Sequence, residues 1–178
     1  MKHAAEPPTP GAAGATWPGR LGARAVRYRR VMAGSSDGDA SLTSTGRAAR
    51  LARRVHSDQQ DRYGRPMIEH VQRVAETVPT SARAVAFVHD VAERSEHDPG
   101  DVALLVGLDD DEYGALELLT KRDGETLLDH TRRVLNAPRG GARELALTVK
   151  RADVDDHARR TPTPDRVYGQ ARRLLETA

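Results

Sequence analysis

Near the middle of the chain an apolar run, Ala84-Val85-Ala86-Phe87-Val88, is followed at once by His89-Asp90-Val91-Ala92-Glu93-Arg94. A His-Asp pair carried into a buried helix is costly unless both groups find partners. A divalent cation is a natural partner, because a neutral imidazole and an ionised carboxylate are both ordinary ligands for one. Glu93 is four residues from His89 and three from Asp90, so on a continuous helix it shares their face. Alone the pair is a weak signal, since a hydrogen-bonded histidine at a helix end would look the same. Three more segments strengthen it. They are His56-Ser57-Asp58-Gln59, Gly64-Arg65-Pro66-Met67-Ile68-Glu69-His70 and Val149-Lys150-Arg151-Ala152-Asp153. Asp153 follows Ala142, Ala146 and Val149 on one helical stripe, which turns its carboxylate inward among apolar neighbours where it needs a partner.

The elements that must position these residues read as helices throughout. Residues 1–41 are rich in Ala, Gly and Pro, which fill 19 of 41 positions. That stretch is expected to be a disordered extension, or partly a mis-assigned start with Met32 as the alternative. Deleting residues 1–31 is therefore expected to leave helicity and melting temperature nearly unchanged; a large loss of either in circular dichroism would show that the extension docks. The helical pattern starts at Thr43, with Ser44 or Thr45 as cap, and runs to about Gln60. Further helices are expected at Met67–Thr77, from a Thr80 or Ser81 cap through Arg94, and at Asp101–Val106 behind an Asp98-Pro99 cap. Others follow at Asp110–Lys121, Thr126–Asn136, Ala142–Ala158 and Asp165–Glu176. Gly107, Gly124, Pro138, Gly140 and Pro162 punctuate them. No period-2 strand is evident. The expected fold is an all-α bundle of seven or eight helices over residues 42–178, with the helix carrying Ala84–Val88 buried at its centre.

Composition removes several function classes. The chain of 178 residues has no Cys, which excludes disulfides, thiolate zinc sites, iron–sulfur clusters and cysteine nucleophiles. Six aromatic residues are too few for a single-stranded nucleic-acid stacking platform. Residues 1–41 hold six Lys/Arg against three Asp/Glu, and the remainder holds 22 against 23. The basic pI therefore owes something to the extension and does not mark a nucleic-acid-binding body. No run approaches the roughly 18 apolar residues of a membrane span. The expected setting is cytoplasmic, with no nucleic-acid or membrane partner.

In order and spacing these segments resemble the HD-domain phosphohydrolases, specifically the hydrolase domains of RelA/SpoT-type stringent-response enzymes and the small stand-alone alarmone hydrolases. The family pattern runs from a His before "xxQ" through "GxPYIxHP", "HDxxED" and "LT" to "VKxADxxxN". The matching residues here are His56 to Gln59, Gly64 to His70, His89 to Arg94, Leu119-Thr120 and Val149 to Asp153, followed by His157. The resemblance covers about residues 44–175. It implies an HD-domain helical bundle in which His56, His89, Asp90 and Asp153 hold one divalent metal. Mn²⁺ is favoured, with Fe²⁺, Co²⁺ and Zn²⁺ allowed by ligand type. Glu93 would be the catalytic carboxylate. The substrate would be a phosphorylated nucleotide such as guanosine 3′,5′-bis(diphosphate), cleaved at its 3′-diphosphate.

Four positions depart from the pattern. Arg94 replaces the second acid, His157 the terminal Asn, Met67 the aromatic of "PYI" and Val71 the following Pro. Arg94 either binds a substrate phosphate through its fork of donors or is a solvent-facing replacement in a degenerate protein. His70 either lines the site or is a structural histidine. Lys150 either meets phosphate or lies on a solvated helix face, and His157 is the next candidate for a substrate contact. Asp109-Asp110-Asp111-Glu112 reads as an acidic first turn, because it lacks EF-hand spacing. His97 and His130 are expected at the surface. Beside the hydrolase reading stand a degenerate metal- or nucleotide-binding module and a helical bundle with coincidental His and Asp.

Overall fold

The computed structural model describes residues 42–161 and 165–177. The expected extension at 1–41 and the Pro162 break lie outside the described residues. Among the described residues eight α-helices follow one another: α1 (Ser44–Val55), α2 (Met67–Thr77), α3 (Arg83–Val88), α4 (Pro99–Val106), α5 (Asp110–Leu119), α6 (Leu127–Leu135), α7 (Gly141–Arg160) and α8 (Arg166–Glu176). A single 3₁₀ turn, Thr80–Ala82, leads into α3. No strand forms among the described residues; one isolated antiparallel bridge pairs Gln60 with Pro66. The protein is an all-α bundle. Among the described residues no helix is long and apolar enough to cross a membrane.

Helix starts follow side-chain chemistry. Thr43 Oγ1, one residue earlier than expected, accepts the Gly46 N–H and caps α1. Asp98 caps α4 with Pro99 in its first turn. Asp109 and Glu112 form a reciprocal capping box, so the acidic run does serve as a helix start. Thr80 and Ser81 cap nothing; they form the 3₁₀ turn instead.

Helix α3 is central, as its all-round apolar sequence requires. Val85 and Ala86 enter one buried cluster with residues of α2, α5, α6, α7 and α8. Ala84 and Val88 enter a second with Ala48 and Leu51 of α1, Val102 and Val106 of α4 and Leu116 of α5. Phe87 packs against both clusters. Six residues thus join the two halves of the bundle and carry His89 into its interior.

His130 corrects the expectation of a surface position: it is 1% exposed. Leu127, His130, Thr131 and Val134 recur at i, i+3, i+4 and i+7, so the helical period turns the ring inward. Its Nε2–H donates to the Leu118 carbonyl (2.9 Å), which also accepts from Arg133 (3.1 Å). Burial, with Lys150 nearby, pushes its pKa down to about 4. The unfolded ring titrates near 6.5, so stability is fully present above that pH. It falls as the pH drops through the 6.5-to-4 window, by at most about 1.4 kcal/mol per unit. His130→Gln keeps a donor for Leu118 and removes this titration. Its melting temperature is expected to fall less than that of wild type between pH 7 and pH 5. Equal falls would contradict the assignment, because the other histidines titrate alike in both chains.

Candidate metal centre

Four elements converge beside the end of α3. The first contribution comes from the end of α1. His56 is fully buried at the helix C-terminus. Its Nδ1 lies 2.9 Å from Gln59 Oε1, while Gln59 Nε2 donates to the Arg94 carbonyl (2.8 Å). The carbonyl contact fixes which end of the amide is which, so Gln59 offers the imidazole an acceptor. His56 therefore carries its proton on Nδ1, and Nε2 keeps a lone pair with no hydrogen-bond partner. Burial lowers the pKa and holds the ring neutral. The following turn is tied by Asp61, whose carboxylate accepts from the backbone of Tyr63 and Arg65 (2.8 and 3.0 Å). Gly64 supplies its positive φ of 75°. The chain then enters α2 and delivers His70 one turn later.

The His-Asp segment is not helical. Helix α3 stops at Val88, and His89 to Glu93 form successive turns. The break releases the Ala86 carbonyl from an i+4 backbone bond, and His89 Nδ1–H donates to it instead (2.7 Å). His89 Nε2 is then a second buried ring nitrogen without a hydrogen-bond partner. Asp90 Oδ1 lies 3.7 Å from it. Burial alone would raise the Asp90 carboxyl, but His89 and then His70 hold it below the ordinary range against the neighbouring Asp153. Glu93 reaches the other way: its Oε1 accepts the Lys121 N–H at 2.7 Å, just past the Leu119-Thr120 pair. Although Glu93 is exposed, partial desolvation and then the charge of Asp90 push its pKa up against the opposing Lys121 N–H. Arg94, with 41% of its side chain exposed, sets Nε 3.6 Å from Asp90 Oδ2.

The long helix α7 supplies the rest. Its stripe of Ala146, Val149 and Asp153 is buried, as the spacing predicted. Lys150 is buried too, which corrects the solvated alternative: Nζ donates to Asp153 Oδ2 at 3.0 Å. The other carboxylate oxygen, Asp153 Oδ1, faces three imidazoles. It lies 3.4 Å from His70 Nε2, 3.3 Å from His157 Nε2 and 4.0 Å from His89 Nε2. Burial would raise the Asp153 carboxyl, but Lys150, His70, His157 and His89 hold it well below the usual carboxylate range. His70 is no isolated structural histidine. Its Nδ1 lies 2.8 Å from Asp156 Oδ2, and Arg73 clamps Asp156 at 2.8 and 3.0 Å. Burial disfavours the His70 imidazolium, yet the Asp153 and Asp156 carboxylates push its pKa up to about 9.

Two groups are close enough to hold an ion, with one ligand atom from each residue within 4.8 Å of the others. They are His70, His89 and Asp90, and His70, Asp153 and His157. The two groups meet at His70. Of the four ligands expected from the sequence, His89 and Asp90 fall in one group and Asp153 in the other, while His56 falls in neither, though Asp90 and His89 act on its charge. Buried His/Asp groups here can hold a metal ion. Sequence reasoning missed Asp156, although it lies three residues after Asp153 on the same helix, and missed that Lys150 serves Asp153. The chain matches no protein-family model and no curated protein.

Proposed function

We propose that this protein is a metal-dependent phosphohydrolase of the HD type that acts on a phosphorylated nucleotide, guanosine 3′,5′-bis(diphosphate) being the first candidate. The observation that carries the reading is the pair of histidines, His56 and His89, each with Nδ1–H tied to an oxygen and Nε2 buried without a partner. A dry lone pair oriented by a fixed Nδ1 contact is what a metal-ligating imidazole needs. Asp90 and Asp153 supply the carboxylates, and Mn²⁺ is the favoured ion, with Fe²⁺, Co²⁺ and Zn²⁺ chemically suited as well. Such an ion, when bound, acidifies water and polarises a phosphoryl oxygen. The protein groups do the rest. Gln59 holds His56, and Lys150 holds Asp153 by one oxygen so that the other faces the imidazoles. Glu93, whose Oε1 is on the Lys121 N–H, is the carboxylate that the resemblance assigns to the attacking water, and its Oε2 would have to turn back toward the cluster to take the proton. Arg94 meets the phosphates.

A second reading rests on Arg94. Its guanidinium approaches Asp90 where the resembled family has an acid, which favours a binding module that keeps the ion and has lost turnover. A hydrolysis panel of guanosine tetraphosphate and common nucleotides with Mn²⁺ separates the two: product that depends on added metal supports the enzyme, and background rates on the whole panel leave the module.

A further inference from the structure

We infer that the cluster holds a second divalent cation, on His70 Nε2, His157 Nε2 and Asp153 Oδ1, beside the ion assigned to His56, His89, Asp90 and Asp153. The inference extends the metal reading above but does not require that the protein hydrolyse anything. Its first support is distance. Asp153 Oδ1 lies 3.4 Å from His70 Nε2 and 3.3 Å from His157 Nε2. Ligands at about 2.1 Å from a tetrahedral ion are about 3.4 Å apart, so both edges already have the length that bound Zn²⁺ would set. The corresponding edges to His89, at 3.7 and 4.0 Å, are wider.

The second support is how the ring is held. His70 is 4% exposed, and its Nε2 faces Asp153 Oδ1 only at the long distance of 3.4 Å. Its Nδ1 contacts Asp156, which Arg73 clamps in turn. This is the carboxylate–histidine arrangement that orients a ligating imidazole and raises its basicity. The His157 ring is fixed as well, lying 4.3 Å from His70 and stacked at 4.8 Å on Tyr168 of α8. Because Lys150 occupies Asp153 Oδ2, Oδ1 is the oxygen the two ions would share. Two His and one carboxylate leave a fourth position open, as in catalytic zinc sites. Two dications against Asp90 and Asp153 keep net positive charge, which suits a phosphorylated anion.

Metal counting on the full chain tests this. Stripped protein is loaded with Zn²⁺ or Mn²⁺, and bound metal is measured by mass spectrometry and titration calorimetry, with circular dichroism confirming the fold of each variant. Wild type is expected to bind two equivalents. His157→Asn, at a part-exposed position, should bind one and keep the one that His56→Ala loses. Asp156→Asn should weaken only the second equivalent, by about 10–100-fold. A single equivalent in wild type that His157→Asn retains and His56→Ala abolishes overturns the second site and leaves the first. A single equivalent that His157→Asn abolishes and His56→Ala retains keeps the site proposed here and overturns the first. No bound metal in folded wild type overturns both.

Discussion

Asp153→Ala is expected to destabilise the protein by about 3–5 kcal/mol, because it strands a buried charge. Lys150 and Asp153 are both buried and joined at 3.0 Å. Taking two ions out of water costs several kcal/mol each, and their attraction roughly offsets that cost while both are present. Removing Asp153 leaves the ammonium with the desolvation and without the attraction. It also removes the oxygen facing His70, His89 and His157. Lys150→Met in the same chain should recover much of the loss, since a flexible apolar side chain fits the stem's space. Urea denaturation of the two single variants and the double variant reads the cycle. A loss below about 1 kcal/mol for Asp153→Ala, the size of an exposed pair, would show that Lys150 escapes to solvent.

The second large effect concerns turnover. If the protein hydrolyses guanosine tetraphosphate, Glu93→Ala is expected to lower kcat by about 10²–10⁴-fold, the usual worth of a positioned general base. Two observations frame that number. Glu93 is tied to the Lys121 N–H, so its carboxylate is held rather than free to wander. Partial desolvation and Asp90 raise its pKa against the Lys121 N–H, which makes it a better proton acceptor than an ordinary glutamate. Arg94→Asp then sorts the roles of the departing residue. Where Arg94 binds phosphate, the substitution raises KM and leaves kcat nearly unchanged. Where Arg94 only fills the place of a lost acid, kcat rises. Identical background rates for wild type, Glu93→Ala and Arg94→Asp across the panel would remove catalysis and leave the binding module.

Particular residues show how far the sequence carried the structure. The unbroken apolar stretch Ala84–Val88 specified a helix with no solvent face, and α3 is that helix. The stripe ending in Asp153 specified an inward carboxylate, and the structure places it there. Helix ends were less legible. Val, His and Asp are weak helix formers but common inside helices, so Val-His-Asp-Val does not announce a stop; α3 ends at Val88, and the released Ala86 carbonyl takes the His89 Nδ1–H, a bond that depends on where the ring must point. Lys150 looked like a surface residue because a lone lysine is expensive to bury. Its partner three residues on removes the objection, and pairing cannot be read from residue type. His130 was legible in principle, since it sits on the apolar stripe of α6, but a polar residue type outweighed its position. At the centre, His89, Asp90 and Asp153 were named from the sequence as ligands, whereas His70 and His157, which complete the groups, were named only as substrate contacts. The sharing of Asp153 Oδ1 among three imidazoles was not legible, because it depends on how α2, α3 and α7 pack.

The most direct test of the metal centre is the metal content of wild-type protein purified in Mn²⁺, measured by mass spectrometry together with the melting temperature as each divalent ion is added. The His/Asp cluster predicts at least one equivalent of bound metal and a rise in melting temperature on saturation, since a ligand that binds only the folded chain at 100 times its Kd adds about 2.7 kcal/mol. Metal content near zero, with no thermal shift for Mn²⁺, Fe²⁺, Co²⁺ or Zn²⁺, would contradict it.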